Sequence, residues 1–379
     1  MAKANSSASP AVSRSWEKNA YFISANGYTG FRSHHTDVYA SQKFTRVYII
    51  KGGPGTGKSS MMREIAHAAV TLGADCEYIY CSSDPGSLDG ILLSYHGRRI
   101  AVLDGTAPHT RCTDFPGVID EIINLGDFWD SERLARERDL ILSLCRMKSE
   151  EYARAYLYLA LAGHIDRYRR RLVLSCMDID KAKKAAERSL RCMRISREPG
   201  EEVRYLSAFG MQGYEHLPTL RDSADVITVS DQFGSAALYL NILRDILRRE
   251  GIYTYRLFPS CFDDDITEGL YLPKNNLLII DSERGEGERC VNMQRFLNTP
   301  QYHLSKQELR FLTRERQTML DRAAEALGQA GKVHFALEHL YGEAMDFAGK
   351  EAYTAHIVAE ITEKLLDDPI LDKAYPDVV

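Results

Sequence analysis

Eight consecutive residues near the start of the chain have the composition and spacing of a phosphate-binding loop. Residues 52–59 read Gly-Gly-Pro-Gly-Thr-Gly-Lys-Ser and fit the pattern G-x-x-x-x-G-K-[ST]. Glycines in such a loop let successive backbone N–H groups turn towards an anion, and the helix that follows adds the positive end of its dipole. The residues predicted to surround the phosphates of a nucleotide are Gly52, Gly53, Pro54, Gly55, Thr56, Gly57, Lys58, Ser59 and Ser60.

Three side chains are assigned to charge and metal binding. We expect the Lys58 ammonium to reach β- and γ-phosphate oxygens and the Ser59 hydroxyl to ligate Mg²⁺. Asp104 ends an apolar run and is the second predicted magnesium ligand, because open α/β sheets bind ligands at the carboxyl ends of their strands. Its structural alternative is an aspartate that only begins a turn before Gly105. The predicted cofactors are ATP, or another nucleoside triphosphate, and Mg²⁺, with Lys58 and Asp104 as the first catalytic residues.

The group that would activate water is missing from its usual place, because a glycine follows Asp104 where many ATPases have a glutamate. Asp84 and Asp89 lie in the segment CSSDPGSLDG at 81–90, after a predicted strand, and are predicted to face the phosphates and complete the catalytic set. His109 is a further candidate. Aspartates next to Pro or Gly are common in turns, so a structural role for Asp84 and Asp89 remains the alternative.

The elements that must position these residues alternate between strand and helix. A β-branched and aromatic run at 46–50 predicts a buried strand before the loop, and 59–72 predicts a helix after it. Two further strands are predicted at 76–80 and 99–103, and charge-rich helices over 131–197. This alternation is typical of a parallel sheet flanked by helices.

Several segments of the first half recur in the same order in the second half. Residues 24–31 (SANGYTGF) recur as 207–214 (SAFGMQGY), and Cys81-x-x-Asp84 recurs as Cys261-x-x-Asp264. The strand that ends at Asp104 recurs as a strand that ends at Asp281. A long-period repeat of this kind predicts a duplicated domain.

The duplication predicts an α/β fold of two tandem P-loop NTPase-like units, each a parallel sheet flanked by helices with a helical C-terminal extension. The predicted segments are a flexible lead-in at 1–20, a unit with an active nucleotide site at 21–198, and a degenerate unit at 199–379, with a linker over 196–202. The second loop, at 230–238, keeps one glycine, lacks the lysine and contains Asp231. We therefore predict that the second unit binds no nucleotide through this loop.

Four segments resemble an uncharacterised family of bacterial P-loop ATPase-like proteins built from two such halves: 52–59 (GGPGTGKS), 81–90 (CSSDPGSLDG), 102–109 (VLDGTAPH) and 116–130 (PGVIDEIINLGDFWD). The first segment is shared by many NTPases, whereas the other three together are more particular. The resemblance is close over the first half and looser over the second, where relatives often keep a phosphate-binding loop. It implies a P-loop NTPase fold and a site for ATP binding or hydrolysis at Lys58, Ser59 and Asp104.

Composition limits the remaining function classes. The chain has 379 residues, 44% hydrophobic residues, a net charge of −5 and eight cysteines without a CxxC pair. No apolar run is long enough for a membrane span, and the first 20 residues lack the apolar core of a secretory signal, so we predict a cytoplasmic protein.

The segment 167–197 has eleven Lys or Arg and three Asp or Glu. We interpret it as a solvated helix face and consider a nucleic-acid partner unlikely.

Three functions fit these patterns, with a nucleotide as ligand and an unknown protein or small-molecule acceptor as partner. The first is a slow or partner-activated Mg-ATPase or switch. The second is a nucleotide or small-molecule kinase, because Leu-Asp-Gly at 103–105 followed by Pro108 resembles a stretch of nucleoside monophosphate kinases. Against it, only 46 residues separate Lys58 from Asp104, which leaves little room for an acceptor-binding subdomain. The third is a non-catalytic protein stabilised by nucleotide.

Overall fold

Two six-stranded sheets and several long helices make up the chain. The computed structural model describes residues 19–108, 110–191, 198–230, 233–258, 266–282 and 289–366. The elements of the first half are β1 (Ala20–Tyr21), β2 (Ser24–Gly27), β3 (Gly30–Ser33), α1 (His35–Val38), β4 (Arg46–Lys51), α2 (Lys58–Thr71), β5 (Asp75–Tyr80), β6 (Leu88–Tyr95), β7 (Arg98–Asp104), β8 (Asp120–Asn124), α3 (Ser131–Arg136), α4 (Arg138–Leu174) and α5 (Ile179–Arg191). Those of the second half are β9 (Glu198–Tyr205), β10 (Ser207–Gly210), β11 (Gly213–His216), α6 (Thr219–Ser223), β12 (Asp225–Ser230), α7 (Ala236–Arg249), β13 (Ile252–Phe258), β14 (Gly269–Leu272), β15 (Leu277–Ser282), β16 (Cys290–Asn292), α8 (Thr299–Glu343) and α9 (Phe347–Leu366).

Both sheets have the same topology. Their strand orders are β1-β5-β6-β7-β4-β8 and β9-β13-β14-β15-β12-β16. In each sheet five strands run in one direction, and the sixth, β6 or β14, is antiparallel to both of its neighbours. This α/β architecture fits two tandem units, and the sheets are mixed and mostly parallel, so the predicted parallel sheet is corrected at this one strand.

The antiparallel strand β6 is absent from the elements that the sequence predicts. It is joined to β7 by a two-residue turn, His96-Gly97, in which both residues have positive φ, 45° and 83°. Two positive φ angles give the turn that matches the twist of an antiparallel pair. The signal for this hairpin is therefore confined to one His-Gly dipeptide, which is a weaker signal than the usual Asn-Gly.

Alternate residues along the strands face different cores. In the first sheet, Tyr48 and Ile50 pack with α2 and α9, whereas Val47 and Ile49 belong to a core that also contains residues of the second sheet, such as Leu278. The opposite face of the second sheet packs with α5 and α7. The layers therefore run helix, sheet, sheet, helix.

The last helix of each half packs on the other half. Helix α9 contacts α2, and α5 contacts α7. The long helices α4 and α8 carry the chain from one half to the other, and they pack against each other in antiparallel orientation. At 1.5 Å per residue they are about 55 Å and about 68 Å long. Each predicted helical extension therefore closes the other unit rather than its own. None of the helices in the described ranges is long and apolar enough to cross a membrane.

The segment between the halves is a strand from Glu198 onwards, so the linker prediction is wrong for residues 198–202. Strand β9 is the edge strand of the second sheet and pairs with β13. An edge strand accepts Pro199 because one side of its backbone has no partner strand. Residues 192–197, and residues 1–18 of the predicted lead-in, lie outside the described residues, and β1 begins at the buried Ala20.

Candidate phosphate-binding site

The predicted phosphate loop connects β4 to α2 at the carboxyl edge of the first sheet. Helix α2 begins at Lys58, and its N-cap is Gly57 with φ 83°. Gly55 also has positive φ, 70°. Residues other than glycine rarely adopt these angles, so the loop conformation depends on glycine at both positions.

Lys58 lies between the loop and the end of β7. Its Nζ atom donates hydrogen bonds to the carbonyl oxygens of Gly53 at 2.7 Å and Gly52 at 3.2 Å. It also lies 3.5 Å from Asp104 Oδ2, and both side chains are largely buried, with 13% and 14% exposed. The predicted lysine and the predicted acidic residue therefore meet at one point of the sheet edge.

The predicted magnesium ligands flank this lysine. Asp104 Oδ1 accepts hydrogen bonds from the Thr106 backbone N–H at 2.8 Å and hydroxyl at 2.6 Å, and Ser59 Oγ accepts one from the Leu88 N–H at 3.0 Å. A hydroxyl and one carboxylate fit Mg²⁺, which usually takes few protein ligands and completes its shell with water and phosphate oxygens. Within the described ranges no group of three or more His, Cys, Asp or Glu is arranged to hold a metal without such help.

The two further predicted catalytic aspartates have different surroundings. Asp84 accepts hydrogen bonds from the Gly86 N–H at 3.2 Å and the Ser87 hydroxyl at 2.8 Å, which is turn chemistry. Asp89 is the extra residue of a β-bulge in β6 and is only 4% exposed. Burial and the charge of Asp89 raise the pKa of the Cys81 thiol. The catalytic roles of Asp84 and Asp89 remain predictions.

Four other residues to which the sequence draws attention lie outside the described residues. They are His109, Asp231, Cys261 and Asp264. The predicted role of His109 as a base, and the prediction that the loop containing Asp231 binds no nucleotide, therefore stay predictions.

The sequence does not predict that helices of the second half cover the phosphate loop. A Cβ atom placed on Gly53 would lie 3.0 Å from the Tyr341 ring, and one on Gly55 would collide with the backbone carbonyl of Glu338. The loop pattern itself requires neither of these glycines. Because Gly55 is also required by its positive φ, the glycine at 53 is the clearer sequence signal for close approach of another segment.

Glu338 places a negative charge beside this loop. Its pKa is held below the ordinary value chiefly by a hydrogen bond from His334, and also by the charge of Lys58 and the backbone N–H of Gly55, although partial burial acts in the opposite direction. The His334 Nε2 atom lies 3.5 Å from Glu338 Oε1. The backbone of Glu338 therefore lies against the loop, and its carboxylate places a negative charge near Lys58.

Lys350, at the start of α9, places a positive charge on the other side of the loop. Only 3% of the residue is exposed. A Cβ on Gly57 would lie 3.4 Å from Lys350 Nζ, which donates to Ser60 Oγ at 3.4 Å and lies 3.8 Å from Glu64 Oε1. The first turn of α2 thus has a buried ammonium group beside it.

The corresponding loop of the second half meets a different side chain. Gly234, with φ 91°, is in the position of Gly55, and a Cβ there would lie 2.5 Å from Cγ of Arg170 on α4. A cavity of about 790 Å³ beside Phe233 is lined mainly by polar and basic residues of α8: His303, Lys306, Gln307, Arg310, Thr313 and Arg314. The described surroundings of this loop are therefore positively charged, although the loop lacks the lysine.

No protein-family model, curated protein or solved structure matches the chain. The family resemblance therefore remains a prediction from the sequence. At this sheet edge the first loop lies beside two lysines, Lys58 and Lys350, and two carboxylates, Asp104 and Glu338.

Proposed function

We propose that the chain is a P-loop NTPase that binds Mg-ATP at the loop of its first half and acts as a slow or partner-activated ATPase or switch. One observation carries this proposal: Lys58, the first residue of α2, has its Nζ atom 3.5 Å from Asp104 Oδ2. A cation for the phosphates, an oxygen ligand for magnesium and helix N–H donors are thus together.

The same site supports slow turnover. Gly105 follows Asp104, and the carboxylate beside the loop, Glu338, has a lowered pKa and is therefore a weaker base than an ordinary glutamate. Hydrolysis without a strong base depends on positioning and on the charge of Lys58 and Mg²⁺. A partner that rearranges the end of α8 would then directly change the rate of ATP hydrolysis.

The non-catalytic alternative, a protein stabilised by nucleotide, is favoured by the contact between α8 and the loop. The kinase alternative needs an acceptor site between α2 and β7, where the described residues form β5, β6 and their connections. Phosphate release separates the three. We expect slow release from ATP that nucleoside monophosphates do not accelerate.

The experiment compares wild type with Lys58→Ala and with Lys274→Ala, a control on the exposed surface of the second half. Lys58→Ala should abolish phosphate release, and Lys274→Ala should leave it unchanged. ADP formation that requires an acceptor would support the kinase. Tight binding without turnover would leave the non-catalytic function, and release that survives Lys58→Ala would contradict a site at this loop.

A further inference from the structure

We propose that the second half completes the phosphate site: Lys350 is a second phosphate-binding cation, and Glu338 is a carboxylate that the phosphates displace. This inference rests on the proposed function. It assigns to helices α8 and α9 a direct part in binding a nucleoside triphosphate in the first half.

The surroundings of Lys350 are unfavourable for a cation in the absence of an anion. The ammonium group is buried, its hydroxyl partner Ser60 is neutral, and its carboxylate neighbour among the described residues, Glu64, is 3.8 Å away and 52% exposed. Burial of a charge with weak compensation lowers stability. Lys350 also lies at the N-terminus of α2, where the helix dipole repels cations and attracts anions.

A phosphate on the loop would remove this conflict. It would bring negative charge to the helix N-terminus between Lys58 and Lys350, and a charge-assisted hydrogen bond to a lysine is among the stronger interactions in proteins. Lys350 lies next to Gly57 and Ser60. We therefore expect it to bind the phosphate group that lies over the first turn of α2.

Glu338 has the opposite effect on an anion. Its carboxylate interacts with the Gly55 N–H and with the charge of Lys58, both of which the triphosphate requires. An incoming phosphate therefore competes with a charge that is already present. The corresponding position of the second half differs, because the side chain of Arg170 lies against Gly234 whereas the backbone of Glu338 lies against Gly55.

The test measures ATP affinity of the full chain in the presence of Mg²⁺ for Lys350→Met and Glu338→Gln. Lys350→Met should weaken binding by about tenfold or more, the effect of losing one charge-assisted hydrogen bond. Glu338→Gln should strengthen binding severalfold, because it removes the repulsion and keeps the side-chain volume. The matched controls, Lys364→Met on α9 and Glu343→Gln on α8, should change affinity by less than about twofold.

A second measurement separates phosphate binding from a structural role of Lys350. Without nucleotide, Lys350→Met should unfold at the same temperature as wild type or higher, since it removes a poorly compensated buried charge. Lys350→Arg should keep most of the affinity. A lower unfolding temperature for Lys350→Met, or affinity changes of the same sign in Lys350→Met and Glu338→Gln, would overturn the inference. If wild type itself binds no ATP, the proposed function fails instead.

Discussion

Glu268 is a buried acid at the carboxyl edge of the second sheet. It is 6% exposed, and its two carboxyl oxygens accept hydrogen bonds from the Ser207 hydroxyl at 3.4 Å and 3.2 Å. Burial raises its pKa well above the ordinary value, the charge of Asp281 adds to this, and Ser207 and Arg221 act in the opposite direction. The folded protein therefore holds a proton here more tightly than the unfolded chain does.

The sign of the resulting pH dependence follows from proton linkage. Above the ordinary pKa of a glutamate, about 4.3, the unfolded chain loses this proton first, so this residue's contribution to stability falls as the pH rises through the folded pKa. We expect Glu268→Gln to raise the free energy of unfolding at pH 8 by about 1 kcal/mol or more. Urea unfolding at pH 5 and pH 8 measures this.

A control variant for that experiment is Glu308→Gln, on the exposed surface of α8. It should leave the pH dependence as in wild type. A Glu268→Gln protein that loses stability at pH 8 would show that the carboxylate is needed in its charged form.

At the residue scale, the sequence predicts what is local and not what the fold brings together. Lys58 and Asp104 could be placed at the same sheet edge because Lys58 follows β4 and Asp104 ends β7, and these two strands pair directly. Glu338 and Lys350 could not, because they are nearly 300 residues from the loop and belong to no recognised pattern. The extra glycine at 53, which no positive φ requires, indicates that another segment approaches the loop.

At the scale of elements, two hairpins pack against the long helices at glycine residues. The hairpin β2–β3 places Tyr28 against Gly163 of α4, and β10–β11 places Met211 against Gly331 of α8. Tyr28 also accepts a hydrogen bond from Arg167, one turn further along α4, at 2.7 Å. Glycine weakens a helix interior, so its presence at these contacts is explained by the space it leaves.

Alanine substitutions test this packing. Gly163→Ala should lower the free energy of unfolding, because the new Cβ would overlap Tyr28 close to its backbone, where it cannot move away. Gly328→Ala, also in the interior of a long helix, meets nothing closer than 3.5 Å and should raise stability by up to about 1 kcal/mol through helix propensity. Thermal unfolding of both variants gives the comparison, and equal gains in stability would contradict the account.

Strands and helices that carry their own periodic signal are predicted correctly. The strand at 46–50, the helix at 59–72 and the strand at 99–103 agree with β4, α2 and β7 to within about one residue. The antiparallel strand β6 and the edge strand β9 are missed, since the first depends on a short turn and the second contains Pro and Gly. The exchange of α5 and α9 has no local signal at all.

At the scale of the whole molecule, the exchange makes the two halves depend on each other. Ile357, Ile361 and Leu365 of α9 are buried in the core of the first half together with Met62 and Ile65 of α2. Burial of apolar side chains of this size contributes roughly 1.5–3 kcal/mol each. The core of the first half is therefore incomplete without the end of the chain.

Truncation after Met345 measures this dependence. Loss of α9 should expose the apolar face of α2, lower the unfolding temperature and cause binding of a dye for apolar surfaces. Circular dichroism during heating and dye fluorescence follow both effects. A truncated protein that unfolds as cooperatively as wild type and binds no dye would show that the first half is closed by its own residues.

The stoichiometry of ATP binding distinguishes one nucleotide site from two in a chain with two similar halves. Calorimetric titration of the full chain with ATP and Mg²⁺ should give one ATP per chain, and Lys58→Ala should abolish the binding. Two equivalent sites, no binding by wild type, or binding that Lys58→Ala leaves intact would contradict the account.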